Sequence, residues 1–91
     1  MAAAESVTLT EFILALRQRL VDAVQTNDQE TIAQLLTTFG ILVDTSYSVQ
    51  DHSVTELLVF MEDSARNALM GVAWKAPIPS VDAVESALRK S

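Results

Sequence analysis

The chain has no cysteine, one histidine, two glycines and two prolines in 91 residues. Each shortage removes a class of function. Without cysteine there is no disulfide and no thiolate metal site. One histidine, His52, with scattered carboxylates offers no His-x-x-x-His or Glu-x-x-His spacing for a metal. Two glycines, Gly40 and Gly71, cannot build a glycine-rich phosphate-cradling loop. No Asp-x-Asp-x-Asp-Gly pattern occurs, so a calcium loop of that kind is absent too. Basic residues are few: six against twelve acids, for a net charge of −6. They are scattered, with no basic stripe interleaved with aromatics, which argues against nucleic acid and against an anionic membrane surface. The longest apolar runs, Phe12 to Leu16 and Leu57 to Met61, are far too short to cross a bilayer. Met1-Ala2-Ala3-Ala4-Glu5 carries no basic flank of the kind a signal peptide has. These features point to a cytoplasmic protein with no membrane contact.

What the chain has is helical periodicity. From Ser53 to Val72, apolar residues fall at Val54, Leu57, Leu58, Met61, Ala65, Ala68, Leu69 and Val72, the spacing of one helix face. Ser53 with Glu56 three residues on reads as a capping box for a helix over about 54–70. Thr8-Leu9-Thr10-Glu11 is another such box. It opens a helix over about 9–26, with Leu9, Phe12, Ile13, Leu16, Leu20, Ala23 and Val24 on its buried face. Thr26-Asn27-Asp28 breaks that helix, and Asn27 or Asp28 caps the next, over about 28–43. Ile32, Leu35, Leu36 and Phe39 form its stripe; Gly40 looks like a helix-ending glycine, although Leu42 and Val43 continue the pattern.

Residues 44–52 are polar and read as a loop, with Tyr47 and Val49 against the bundle; a short strand at Ile41-Leu42-Val43 is the lesser alternative. Pro77 and Pro79 make 72–79 an extended connector, with Trp74 and Ile78 sealing the core. Ser80 caps a last helix, 81–89, buried through Val81, Val84 and Leu88. The expected architecture is all-α: a small four-helix bundle over residues 8–91, preceded by a loose leader, 1–7.

No catalytic constellation emerges. Asp51, His52 and Ser53 are sequence neighbours whose side chains diverge, unlike a triad that converges from separate segments. Glu62 and Asp63 diverge by about 100° on a helix and do not make an acid/base pair. The acids Glu11, Asp28, Glu30, Glu56, Asp82 and Glu85 fall at the starts of the expected helices, where they complement orphan amides and the helix dipole. The informative residues are apolar ones outside the seams. Leu14 and Val21 lie off the first helix's stripe, and Val59 and Phe60 flank that of the third. These four are the candidate partner interface. A central, nearly surrounded helix accounts for such residues on one helix but less easily on two, so they point to a non-enzymatic interaction module (an adaptor, a small subunit or an inhibitor-like partner) that docks on another protein or on itself as a homodimer.

A family resemblance supplies the alternative. Asp44, Tyr47, Val49, His52, Ser53 and Val54 resemble the Asp-x-x-Phe-x-Leu-x-x-His-Ser-Leu run of acyl and peptidyl carrier proteins. Pro79-Ser80-Val81 is similar to the Pro-Thr-Val opening of a carrier's last helix. The resemblance implies that Ser53 carries phosphopantetheine; a capping role accounts for the same serine without a cofactor. The run Asp28 to Asp44 also resembles the second helix of a HEAT-type pair, although one pair is too short for an array.

Overall fold

The computed structural model describes residues 8–48 and 52–89. The expected leader, 1–7, and Val49, Gln50 and Asp51 of the expected loop lie outside the described residues. Among the described residues four α-helices follow one another: α1 (Leu9–Gln25), α2 (Gln29–Ser48), α3 (His52–Leu69) and α4 (Val81–Arg89). A short 3-10 turn, Ala73–Lys75, interrupts the connector before α4. No strand occurs among the described residues, so Ile41-Leu42-Val43 is helical and the all-α bundle stands.

The caps are local chemistry made visible. Thr8 Oγ1 accepts from the Glu11 amide at 3.1 Å while Glu11 Oε1 accepts from the Thr8 amide at 3.1 Å, the reciprocal box expected there. At the end of α1, Asn27 takes a left-handed backbone (φ 55°). The Asp28 amide donates back to Ala23 O at 2.8 Å and that of Asn27 to Val24 O at 3.2 Å. This paired closure satisfies carbonyls the helix would otherwise orphan. Asp28 then turns to α2, its Oδ1 accepting from the Thr31 amide at 3.2 Å. One residue closes the first helix and the next opens the second. Gly71 (φ 79°) ends α3 by the same closure, with Val72 N donating to Asn67 O at 2.9 Å. Ser80 Oγ accepts from the Ala83 amide at 3.1 Å and starts α4.

Helix α2 departs from expectation. It runs through Gly40, as the expected span 28–43 does, but then replaces the first half of the expected loop with another helical turn, to Ser48. The hydroxyls that look like loop signals are satisfied on the helix itself: Thr45 Oγ1 donates to Ile41 O at 2.9 Å and Ser46 Oγ to Val43 O at 2.9 Å. Ser46 is buried and meets buried Thr55 of α3 with its hydroxyl at 2.6 Å. Tyr47 points to solvent instead of packing on the bundle. Gly40 is not a helix end; it sits at a close approach, where a Cβ would stand 3.2 Å from Glu62 Oε2 of α3. Helix α3 begins at His52, so Ser53 belongs to its first turn and does not precede the helix.

The core is built mainly on the α2–α3 pair, the most extensive contact in the fold, with α1 laid across α2, α3 and α4. Phe39, Leu35 and Ile32 of α2 share one buried cluster with Leu57, Leu58 and Met61 of α3, and Ile13 and Leu20 of α1 and Val84 of α4 belong to it too. Each such side chain contributes about 1.5–3 kcal/mol by leaving water. Two bonds hold the connector. Arg17 Nε of α1 donates to Pro79 O at 2.6 Å, and Ser64 Oγ of α3 lies 3.1 Å from Pro77 O and 2.9 Å from Phe60 O. Ile78 packs on the core as expected. Trp74 does not: it is 74% exposed, because the 3-10 turn carries it outward, and Lys75 Nζ sits 5.5 Å from its ring centroid.

Candidate functional site

The four apolar residues that mark the expected interface have different surroundings. Leu14 and Val59 are half-buried and pack against the core. Val21 is half-buried. The reason is geometric. Helix α1 touches three other helices and α3 touches α2, α1, the connector and α4, so both bury more than one stripe. Phe60 is different: it is 62% exposed, with its ring in solvent.

Phe60 stands between two recesses on the side of α3 that faces the connector and α4. One, of about 190 Å³, is lined by Ser53, Glu56, Leu57, Phe60, Pro79, Ala83 and Ala87. The other, of about 520 Å³, is lined by Phe60, Asp63, Ser64, Lys75, Ala76, Pro77, Ile78 and Pro79. Phe60 and Pro79 belong to both, so the two recesses form one groove with an aromatic ridge at its middle. On α3 the residues Ser53, Glu56, Phe60 and Asp63 recur every three to four positions and make one wall about 15 Å long. The opposite wall is low because it is made of alanines and prolines. Sequence reasoning did not find Ala76, Pro79, Ala83 or Ala87. The available signal was the Pro77–Pro79 pair, which forces an extended strip that the Ser64 and Arg17 bonds lay along the helices.

The charges at the groove are modest. Asp63 Oδ1, half-exposed at the groove wall, pairs with Arg66 at 2.9 Å, and Glu62, on the side of α3 that faces Gly40 of α2, reaches the same guanidinium at 3.6 Å. Lys75 and Glu56 sit at opposite ends. The two carboxyls held below their ordinary range lie elsewhere. Glu11 is lowered by the Thr8 amide and then the Thr8 hydroxyl, and Asp28 by the Thr31 hydroxyl and then its amide. Both are helix caps, not reactive acids. His52 is exposed in the first turn of α3, beside half-buried Ser53, and Asp51 lies outside the described residues. Among the described residues no group of three or more His, Asp or Glu side chains could hold a metal ion. No helix among them is long and apolar enough to cross a membrane.

No family model, curated protein or solved structure matches the chain.

Proposed function

We propose that this chain is a non-enzymatic helical interaction module, an adaptor, small subunit or inhibitor-like protein, that docks another protein on the groove around Phe60. The observation that carries this reading is the exposed aromatic ring between two recesses. A side chain of that size gains nothing from water and is held where a partner side chain can pack on either flank. The rigid α3 wall sets the spacing, and the alanine–proline wall lets a partner's backbone come close.

The test compares the proteins retained from source lysate by the wild type, by Phe60→Glu and by Trp74→Ala. Phe60→Glu should lose a specific band that Trp74→Ala keeps, with the helical circular dichroism of both unchanged. Identical capture by all three would remove the groove from consideration.

Ser53 favours a second reading. It is half-buried on the first turn of α3 at the rim of the smaller recess, where a group attached to its hydroxyl would lie against Phe60 and Ala83. In that reading the chain acts as a carrier with phosphopantetheine on Ser53. Incubation with coenzyme A and a permissive phosphopantetheinyl transferase, followed by intact mass, decides it: no added mass on Ser53 removes the carrier.

A further inference from the structure

Resting on the docking role of the Phe60 groove, we propose that the docking element is an amphipathic helix of the partner, which takes the place of α4 on α1 and α3. Size decides between filling the groove and replacing one of its walls. A helix as long as the α3 wall, about 15 Å, and about 10 Å across occupies roughly 1,200 Å³. The recesses on either side of Phe60 hold about 190 Å³ and about 520 Å³. A helix therefore does not fit beside α4, but it fits where α4 lies. That seat is already shaped for a helix, since α4 packs there against both α1 and α3.

α4 fills the seat poorly. Val81, Val84 and Leu88 make its apolar stripe, yet only Val84 is fully buried; Leu88 is half-buried and Val81 is 43% exposed. Toward the α3 wall it presents Ala83 and Ala87, and the smaller recess is the space their methyl groups leave against Leu57 and Phe60. A partner helix with leucine-sized side chains at those two positions, four apart on one face, would fill that space and keep the contact Val84 makes. It gains packing that α4 forgoes. The partner helix is thus patterned like α4 but bulkier toward α3.

α4 then competes for its own seat. The partner's apparent affinity is lowered by the fraction of chains in which α4 is seated, so whatever holds α4 sets the strength of docking. Two hydrogen bonds contribute by fixing the connector that leads into it: Arg17 Nε donates to Pro79 O at 2.6 Å and Ser64 Oγ to Pro77 O at 3.1 Å. Nine residues is below the roughly 12–15 at which an isolated helix persists in water, so α4 is the element a competitor can displace.

The probe is a fluorescein-labelled peptide of residues 79–89 carrying Ala83→Leu and Ala87→Leu, titrated with the full chain and followed by anisotropy. The wild-type chain should bind it. A full chain with the same two substitutions in its own α4 should bind about tenfold more weakly, because its seat is filled. The full chain with Val84→Glu should bind about tenfold more tightly, with most helical circular dichroism kept. The first two chains contain no weakened core, so they decide the matter even where Val84→Glu unfolds. A control peptide that also carries Val84→Glu should not bind. Equal affinity of the wild type and the filled chain, equal binding of the control peptide, or no binding by the wild type at about 1 mM would overturn the proposal. A lysate band lost in Phe60→Glu, with the peptide bound by no chain, would keep the groove as a docking site and remove the helix as its occupant.

Discussion

The two glycines respond to alanine in opposite directions. Gly40 lies in the interior of α2, where alanine is favoured over glycine by about 0.8–1.0 kcal/mol. The added methyl would meet one atom, Glu62 Oε2, at 3.2 Å. That atom is the end of a flexible side chain, and it has only a 3.6 Å ion pair with half-exposed Arg66 to lose. An exposed pair of this kind contributes about 0–1 kcal/mol, and a shift of a few tenths of an ångström forfeits only part of it. The balance for Gly40→Ala is therefore a gain of about 0.5 kcal/mol, or about 2–4 °C in Tm for a domain of this length. Gly71 has open space around it but a φ of 79°. Alanine there meets backbone strain instead of a neighbour and should cost about 1 kcal/mol. Urea and thermal denaturation followed at the helical circular dichroism band measure both. If Gly40→Ala loses stability as Gly71→Ala does, and does so equally in a Glu62→Ala background that removes the crowded carboxylate, then Gly40 terminates a helix after all. The continuous α2 would then be wrong.

Two further outcomes follow from burial and charge. Phe39→Ala should cost about 3–5 kcal/mol and abolish a cooperative thermal transition, since Phe39 is fully buried between α2 and α3, while Trp74→Ala should stay within about 0.5 kcal/mol; equal losses in urea titrations would refute this core. Glu11 and Asp28 have folded pKa values below their ordinary ones, so their contribution is present at neutral pH and is lost as pH falls below about 4 through the depressed values. The double variant Glu11→Gln, Asp28→Asn keeps the capping acceptors but not their charge; it should melt below the wild type at pH 7 and converge with it in acid, and parallel Tm curves would contradict a charge contribution from these two carboxylates.

Much of the helix layout could be read from the chain because caps are local. Thr8 with Glu11, Asn27 with Asp28, Gly71, and Ser80 act through bonds within a few residues, and the structure has each at or beside the expected boundary. The end of α2 was not legible for the opposite reason. Ser46 is tolerated in the interior because Thr55, nine residues on and in another helix, meets its hydroxyl. The signal available was spacing: Phe39, Val43 and Ser46 fall on one face whatever their polarity. Trp74 misled through size, because a large apolar ring suggests burial, yet a three-residue turn decides which way it points. The groove was half legible. Phe60 stands out from its helix by pattern, but its alanine and proline wall appears only when the connector is laid against α3.

α4 is nine residues long and anchors one fully buried side chain, Val84. A segment that short has little helical stability of its own, so its order is borrowed from the surfaces beneath it. Its amides should exchange with solvent well ahead of those in α2 and α3, since it can lift away without global unfolding. Because Ala83 and Ala87 form one side of the cleft at Phe60, that cleft has one fixed jaw and one that breathes, and a visitor meets an aperture instead of a mould.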